Sequence, residues 1–269
     1  MVFAETVAEE LASGLFYRNR PFYLSPPKLE SDYAPVRYER ELRLFRSWCA
    51  AGEVLDVGCS TGGFLHQLGK RFPKDYNLLG IDLPSAALDY ARSRGVPVNS
   101  QSFLDLDLGS RRFDAVTFWA VLEHVPHPKA FLEKAGRVLK RGGYCFILVP
   151  NLKSLAIRLL GPKYRYIMAE HLNYFTPATL KVFAQRQDDL EIMHSGSTHF
   201  NPVVIWQDCW RGQAGVPDED RASLLKTTTA WKQAPLLKPI KLAYDGLERA
   251  LAWMDLADNL TMVLRKKVS

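Results

Sequence analysis

The sequence contains no long hydrophobic run, no closely spaced cysteine pair and no N-terminal targeting pattern. No apolar stretch approaches the roughly 18 residues of a membrane-spanning helix, and acidic residues stand near the N-terminus where a signal peptide carries positive charge. The 4 cysteines are far apart in the chain, which excludes a C-x-x-C metal or redox motif. These absences predict a cytoplasmic protein without a membrane span.

The formal net charge is +6, but the basic residues are spread along the chain, and only Arg265-Lys266-Lys267 and scattered arginine pairs stand out. A nucleic-acid surface concentrates its basic residues on one face, so their scatter disfavours a nucleic-acid partner.

Paired helical carboxylates such as Glu39 and Glu41 are interpreted as residues on a solvated helix face. Apolar residues make up 47% of the 269 positions, which is typical of a globular core.

Strand-like and helix-like patterns alternate from residue 36 onward. Short connections between alternating elements imply right-handed βαβ units, hence an α/β fold with a mainly parallel, doubly wound sheet. The apolar strand candidates show no period-2 alternation, as is typical of strands covered on both faces. A helix is predicted from Gly63 to Arg71, and another is expected to open at Pro84. The predicted strands are 53–57, 77–82, 96–101, 113–119, 144–150, 190–200 and 259–267.

Four segments differ in composition. Residues 1–35 form an aromatic N-terminal extension, and residues 36–200 carry the alternating pattern. Residues 201–257 are a tryptophan-rich helical insertion or cap, and residues 258–269 supply the final strand and a basic tail. The two aromatic segments predict a lid over a binding site, with packing against the sheet edge or a homodimer contact as the alternatives.

The stretch VLDVGCSTGGFL, residues 54–65, is a strand that breaks into a glycine-rich turn. A phosphate-binding P-loop would need a Lys-Ser/Thr pair after the glycines, and none follows. A dinucleotide fingerprint would need a second glycine where Ser60 stands. Asp56 precedes the turn, repels phosphate and suits a ligand with an amino group.

The pattern Asp56-x-Gly58-x-x-x-Gly62 resembles the first motif of class I S-adenosylmethionine-dependent methyltransferases. The resemblance implies that the two glycines approach the methionine part of the cofactor and that Asp56 acts on its amino end. Asp82, at the end of the second predicted strand, would bind the ribose hydroxyls. Its alternative role is to cap the helix expected to open at Pro84.

The family's adenine site follows the third strand as an acid beside a small apolar residue. Ser102-Phe103 occupies that position here, which departs from the family pattern. We expect Ser102 and the Phe103 backbone to meet the adenine, with Asp105 as the alternative. The complete set of predicted cofactor residues is Asp56, Gly58, Cys59, Ser60, Gly62, Asp82, Leu83, Ser102, Phe103, Trp119 and Ala120.

A longer stretch, FWAVLEHVPHPKAFLEKAGRVLKRGGYCFILVPN, resembles the region after the fourth strand of the same family. Within the family the sequence is similar to ubiquinone-biosynthesis-type O-methyltransferases and related small-molecule enzymes, also through RLLGPKYRYIMAEHLNYFTPATL. The resemblance covers about residues 40–200. It implies a Rossmann-like seven-stranded sheet, S-adenosylmethionine as the methyl donor, and a phenol, sugar or secondary metabolite as the acceptor.

Methylation of a hydroxyl benefits from a base beside the acceptor oxygen. His124 follows the fourth strand and is the first candidate, and His171 is the second. A structural role is the alternative for each histidine. The predicted acceptor-contacting residues are Tyr17, Tyr23, Tyr174 and Trp206.

The ubiquinone enzymes place a metal-binding glutamate three residues before a Glu-His pair. The pair here is Glu123-His124, and the earlier position is Ala120, so we predict no metal; a Glu123/His124/His171 site is the alternative. Methylation of a small amine and a non-catalytic binding or scaffold protein are the alternative functions.

Overall fold

The computed structural model describes residues 2–3, 16, 20–83, 85–210 and 238–268. The strands are β1 (Val2–Phe3), β2 (Gly52–Val57), β3 (Tyr76–Ile81), β4 (Val98–Asn99), β5 (Phe113–Trp119), β6 (Leu139–Pro150), β7 (Asn173–Tyr174), β8 (Leu190–Thr198) and β9 (Asn259–Lys266). The α-helices are α1 (Pro26–Tyr33), α2 (Glu39–Trp48), α3 (Gly63–Arg71), α4 (Ala86–Ser93), α5 (Pro128–Val138), α6 (Leu155–Leu160), α7 (Pro177–Gln185), α8 (Pro202–Cys209) and α9 (Lys238–Trp253). Within these described ranges, no helix is long and apolar enough to cross a bilayer.

A seven-stranded sheet organises the molecule in the order β4-β3-β2-β5-β6-β9-β8. The pairs from β4 to β6 are parallel, and β9 runs antiparallel to both β6 and β8. Strand order reverses between β2 and β5, the position where open α/β sheets form a ligand crevice. The predicted Rossmann-like, mostly parallel seven-stranded fold is therefore confirmed.

Two apolar layers cover the sheet. Successive side chains of a strand point to opposite faces. Val54 belongs to the layer that contains α2, α3 and α4, and Leu55 to the layer that contains α5 and α7. Both side chains are fully buried. The continuous apolar runs of the sequence thus reflect burial on both faces, which is worth about 1.5–3 kcal/mol for a large aliphatic side chain.

Several predicted boundaries agree with the structure, and others shift for local reasons. Helix α3 and strand β5 begin and end where predicted. Strand β6 begins five residues earlier than predicted because Leu139 already pairs with Phe113. Helix α4 begins at Ala86 rather than at Pro84, since the Ser85 side chain caps it by accepting a hydrogen bond from the Leu88 N–H.

Helix α1 of the N-terminal extension packs against the start of α3. The Tyr33 hydroxyl donates a 2.7 Å hydrogen bond to the Thr61 carbonyl, and the Gln67 side chain donates to the Tyr33 carbonyl at the same distance. Thr61 Oγ1 lies 2.6 Å from Asp32 Oδ2. Helix α1 is thereby fixed over the glycine-rich turn.

Candidate active site

A cavity of about 750 Å³ opens at the carboxyl ends of β2, β3 and β5. Asp56, Asp82 and Trp119, each at or just after the end of a different strand, line it. Of the eleven predicted cofactor residues, ten line this cavity, and Gly62 does not. The motifs separated in sequence therefore converge on one crevice at the point where strand order reverses.

The glycine-rich turn adopts left-handed backbone at three positions. Gly58 has φ 73°, and a Cβ there would lie 2.6 Å from the Val121 side chain. Gly62 has φ 75° and caps α3 at its N-terminus, where a Cβ would crowd Val96 at 3.1 Å. Ser60, the residue in place of a glycine, still adopts φ 49°. Gly62 therefore does not line the cavity, and its left-handed backbone and close packing explain why a glycine stands there.

Asp56 is a buried carboxyl group at the floor of the cavity, 3% exposed. Its Oδ1 accepts a 2.6 Å hydrogen bond from the Thr117 hydroxyl on the neighbouring strand. Burial raises the pKa of Asp56 to about 7, and the charge of Asp82 acts in the same direction, while Thr117 opposes the shift. A cationic ligand group would favour its ionised form.

Asp82 is held by two backbone N–H groups. Ser60 donates to Oδ2 at 2.6 Å, and Leu83 donates to Oδ1 at 2.7 Å. Burial raises the pKa of Asp82, and these two hydrogen bonds oppose the shift. Because Ser85 caps α4, the alternative role of Asp82 as that helix cap does not apply.

His124 lines the cavity, five residues beyond the end of β5. Its Nδ1 lies 2.9 Å from the Glu170 carbonyl oxygen. A carbonyl only accepts hydrogen bonds, so Nδ1 carries the proton and the neutral ring has its lone pair on Nε2. Nε2 lies 3.9 Å from Glu123 Oε1. The ring is thereby fixed in the tautomer that a base at Nε2 requires.

His171 and Tyr174 lie behind His124 and do not line the cavity. The rings of His171 and His124 are 4.7 Å apart in an edge-to-face arrangement. His171 Nδ1 lies 2.8 Å from the Tyr166 carbonyl, and the Tyr174 hydroxyl donates to the Met168 carbonyl at 3.0 Å. These contacts connect the segment after α6 to the region of His124.

Glu123, His124 and His171 form a compact cluster in which one ligand-type atom of each lies within 4.8 Å of the others. Glu123 is 1% exposed, its Oε2 has no hydrogen-bond partner among the described residues, and burial raises its pKa to about 8. Imidazole and carboxylate groups are common ligands of divalent ions. Ala120 nevertheless offers no ligand atom, so the donor set lacks the carboxylate that the resemblance associates with such a site.

Polar residues of the first two helices and their connection form a wall of the cavity that the sequence patterns did not indicate. Lys28, Asp32, Arg37, Tyr38 and Glu41 all line it. Helical periodicity could not identify them, because it does not show which polar face a later part of the chain covers.

Glu41 corrects the interpretation of its helix face as solvated. It is 6% exposed, and Oε1 lies 2.9 Å from His199 Nε2. Burial acts to raise the pKa of Glu41, but His199 and Arg37 outweigh burial and lower it to about 2. Arg37 Nε is also buried and has no hydrogen-bond partner among the described residues; it lies 4.0 Å from Asp32 Oδ1.

The remaining predicted acceptor residues lie in different places. Tyr23 lines the cavity. Trp206 lies on the outer face of α8 with 66% of its surface exposed, since that helix buries Val204 and Asp208 instead. Tyr17 lies outside the described residues. The structure thus brings Tyr23 to the site and leaves Trp206 away from it.

Comparison with known proteins identifies the family. A family model described as a methyltransferase domain matches residues 31–194. The ubiquinone biosynthesis O-methyltransferase of Nitrosococcus oceani is 27% identical over 193 residues, which cover 65% of this chain and 80% of the relative. The enzyme of the same name from Shewanella pealeana is 31% identical over 196 residues, with the same two coverages.

A solved structure with the same fold is the plantazolicin methyltransferase BpumL in complex with a pentazolic desmethylPZN analog and SAH. It is 16% identical, covers 96% of this chain and 90% of its own, and has a TM-score of 0.54. SAH is S-adenosylhomocysteine, the product that remains after S-adenosylmethionine has given up its methyl group. With the family model spanning more than half of its length, the chain belongs to the class I S-adenosylmethionine-dependent methyltransferases.

Proposed function

We propose that the protein transfers the methyl group of S-adenosylmethionine to a hydroxyl group of a small-molecule acceptor. The observation that carries this proposal is the position of His124 in the cavity wall. Its Nδ1–H donates a hydrogen bond to the Glu170 carbonyl, so the neutral ring has its lone pair on Nε2, where it can accept a proton. A hydroxyl nucleophile must lose a proton during transfer, and a positioned imidazole is a suitable base.

The cavity floor supplies groups that match the donor. The Asp56 carboxyl would interact with the amino group of S-adenosylmethionine, and the Asp82 carboxylate with the ribose hydroxyls. Ser102 and the backbone of Phe103 would meet the adenine, while Trp119 and Ala120 would border the methyl group. All of these residues line the same cavity. Arg37, which the motifs did not identify, is a cation suited to the cofactor carboxylate.

The reaction is an in-line displacement at the methyl carbon. The acceptor oxygen forms a bond to that carbon, the carbon–sulfur bond breaks, and the sulfur leaves with the electron pair as a thioether. The hydroxyl proton passes to His124 Nε2. The cofactor supplies the leaving group, so the protein contributes alignment, exclusion of water and the proton acceptor.

The named relatives support oxygen as the acceptor atom, since the ubiquinone biosynthesis enzymes are O-methyltransferases. Apolar and aromatic side chains border the cavity beside its polar groups, as in other small-molecule sites. A small amine would need a neutral nitrogen but little help from a base. The base is therefore the feature that separates hydroxyl from amine transfer.

A screen of hydroxyl and amine acceptors with labelled S-adenosylmethionine tests the proposal. With a hydroxyl acceptor, His124→Gln should lower turnover by about 10²–10⁴-fold, while S-adenosylhomocysteine binding measured by calorimetry stays unchanged. His171→Gln, which changes a ring outside the cavity, is the control and should lower turnover much less. Transfer only to amines, with turnover retained in His124→Gln, would contradict O-methylation.

A further inference from the structure

Glu170 connects the N-terminal extension to His124 of the active site. Its carboxylate Oε1 accepts a 2.6 Å hydrogen bond from the guanidinium of Arg20, 150 residues earlier in the chain. Its backbone carbonyl lies 2.9 Å from His124 Nδ1 and fixes the tautomer of that ring. Glu170 therefore contacts Arg20 through its side chain and His124 through its backbone.

The backbone around Glu170 is a turn that is fixed to the loop after β5 at its C-terminal side. The His171 N–H closes the turn by donating to the Met168 carbonyl at 3.1 Å. Just beyond it, the Asn173 N–H donates to the Glu123 carbonyl at 3.0 Å. Glu170 lies inside the turn, so the contact with the N-terminal extension acts directly on the residue whose carbonyl meets the imidazole.

Arg20 is itself held by its surroundings. Its guanidinium lies 4.8 Å from the centre of the Phe16 ring, a cation–π distance. The side chains of Arg20 and Glu170 are only 15% and 12% exposed, so water screens the ion pair little. Arg20 immediately precedes a 3-10 turn (Pro21–Leu24) whose Tyr23 lines the cavity. The ion pair thus joins a part of the cavity wall to the turn that contains Glu170.

We propose that Arg20 is a positioning residue for His124 and acts through the backbone of Glu170. This inference rests on the proposed function, in which His124 is the base. A base must lie within hydrogen-bond distance of the proton that it removes, with its lone pair on the nitrogen that faces the acceptor. The ion pair that holds Glu170 in place therefore also keeps the His124 ring in the orientation and tautomer of a base.

Loss of Arg20 should displace the Glu170 carbonyl. A shielded carboxylate that loses a compensating cation is costly, so the Glu170 side chain should turn toward water and carry its backbone with it. The hydrogen bond to His124 Nδ1 then weakens, and the ring no longer has one fixed tautomer. Cofactor binding should not change, because neither residue of the ion pair lines the cavity.

NMR spectra of the full, ¹⁵N-labelled chain test this role without an acceptor. In mildly alkaline buffer with S-adenosylhomocysteine, the ring nitrogens of His124 should show one tautomer, with the proton on Nδ1. Their signals are assigned by their absence in His124→Gln. Arg20→Gln should give a mixture of both tautomers, as should Glu170→Ala, which removes the other half of the ion pair. Arg20→Lys keeps the charge and should restore the single tautomer.

Arg46→Gln is the matched control. Arg46 also pairs with a carboxylate, at 2.7 Å from Asp75, and its guanidinium lies 4.1 Å from the centre of the Phe72 ring. It does not line the cavity. This variant removes a comparable arginine elsewhere in the molecule and should leave the His124 signals and turnover as in the wild type.

Steady-state kinetics with a hydroxyl acceptor link the ring position to turnover. Arg20→Gln should lower kcat by about 10- to 100-fold, since a displacement of about 1 Å can cost a hundredfold. The KM of the acceptor and the affinity for S-adenosylhomocysteine should stay unchanged, so kcat and kcat/KM fall together. In the His124→Gln background, Arg20→Gln should cause no further loss, because both changes act on the same group.

The outcomes separate this inference from the proposed function. Turnover retained in His124→Gln would contradict the proposed function, and the NMR spectra would still decide whether Arg20 positions the ring. A single tautomer retained in Arg20→Gln, or the same loss of turnover with and without His124, would overturn the inference alone. A rise in KM with kcat unchanged would assign the ion pair to the Tyr23 wall instead, and a loss of S-adenosylhomocysteine affinity would show a purely structural role.

Discussion

The Thr117 hydroxyl donates a 2.6 Å hydrogen bond to Oδ1 of Asp56 across two adjacent strands of the sheet. The two residues are direct partners in the parallel pairing of β2 with β5. Asp56 is buried, and its pKa is raised to about 7 because burial disfavours the charged form. The hydrogen bond from Thr117 stabilises that charged form and so opposes the effect of burial on the pKa of Asp56. The balance of the two effects determines whether the carboxyl group at the cavity floor is ionised.

The affinity for S-adenosylhomocysteine should therefore depend on pH between about 5.5 and 8. If the ligand ammonium pairs with ionised Asp56, protonation of the carboxyl below pH 7 must weaken binding, by up to tenfold for each pH unit. Thr117→Val removes a hydrogen bond to the charged form, so the pKa of Asp56 rises and the midpoint of the profile moves to higher pH. Calorimetric titrations at a series of pH values measure both effects.

Asp56→Asn is the control for this pH profile. The amide has no proton to lose, so its affinity should be weak and nearly independent of pH over the same range. A wild-type profile that is flat, or a Thr117→Val profile displaced to lower pH, would show that Asp56 does not bind the ammonium group.

Replacement of Asp82 should separate ribose binding from adenine binding. Hydrogen bonds to a charged group contribute about 1.5–3 kcal/mol, so Asp82→Asn should weaken S-adenosylhomocysteine binding by about 10- to 150-fold. Asp105→Ala should change the affinity by less than about threefold, because Ser102 and the Phe103 backbone are expected to meet the adenine. A large loss in Asp105→Ala would assign the adenine to Asp105 instead. Melting temperatures should accompany both measurements, since Asp82 also accepts the Ser60 and Leu83 N–H groups.

Arg37 offers a test of the methionine end of the cofactor. The carboxylate is the only anionic group of S-adenosylhomocysteine, and the Arg37 guanidinium lines the cavity. Arg37→Gln should weaken S-adenosylhomocysteine binding by about 10- to 150-fold, the range for a charge-assisted hydrogen bond. Methylthioadenosine lacks the carboxylate and serves as the matched ligand, whose affinity should not change. Equal losses for both ligands would indicate a structural role for Arg37.

The parts of the fold that local sequence determines were predictable. Strand β5 is mostly apolar, and the turn after β2 combines an acid with glycines, so both could be placed from residues close together in the chain. The strand ends then define the cavity, because parallel strands bring their carboxyl ends to one edge of the sheet. Asp56 and Asp82, which the motifs singled out as candidate cofactor residues, accordingly line the cavity.

The polar residues that the first two helices contribute to the cavity could not be assigned in this way. Glu41 is buried by its contact with His199, 158 residues later in the chain. A polar residue on an amphipathic helix has the same local pattern whether water or another element covers it. Trp206 shows the converse case, because its apolar side chain predicted a pocket wall and the structure exposes it. Which polar or aromatic residue is covered depends on long-range contacts.

Metal dependence provides the final prediction. Glu123, His124 and His171 lie close enough to share an ion, but Ala120 lacks the carboxylate that the related enzymes place three residues before the pair. We therefore expect methyl transfer to continue after dialysis against EDTA, with rates unchanged by added Mg²⁺ or Zn²⁺. His171→Ala, which removes one imidazole of the cluster, should leave S-adenosylhomocysteine binding unchanged in calorimetry. Activity that disappears on chelation and returns with one divalent ion would show instead that His171 serves as the replacement ligand.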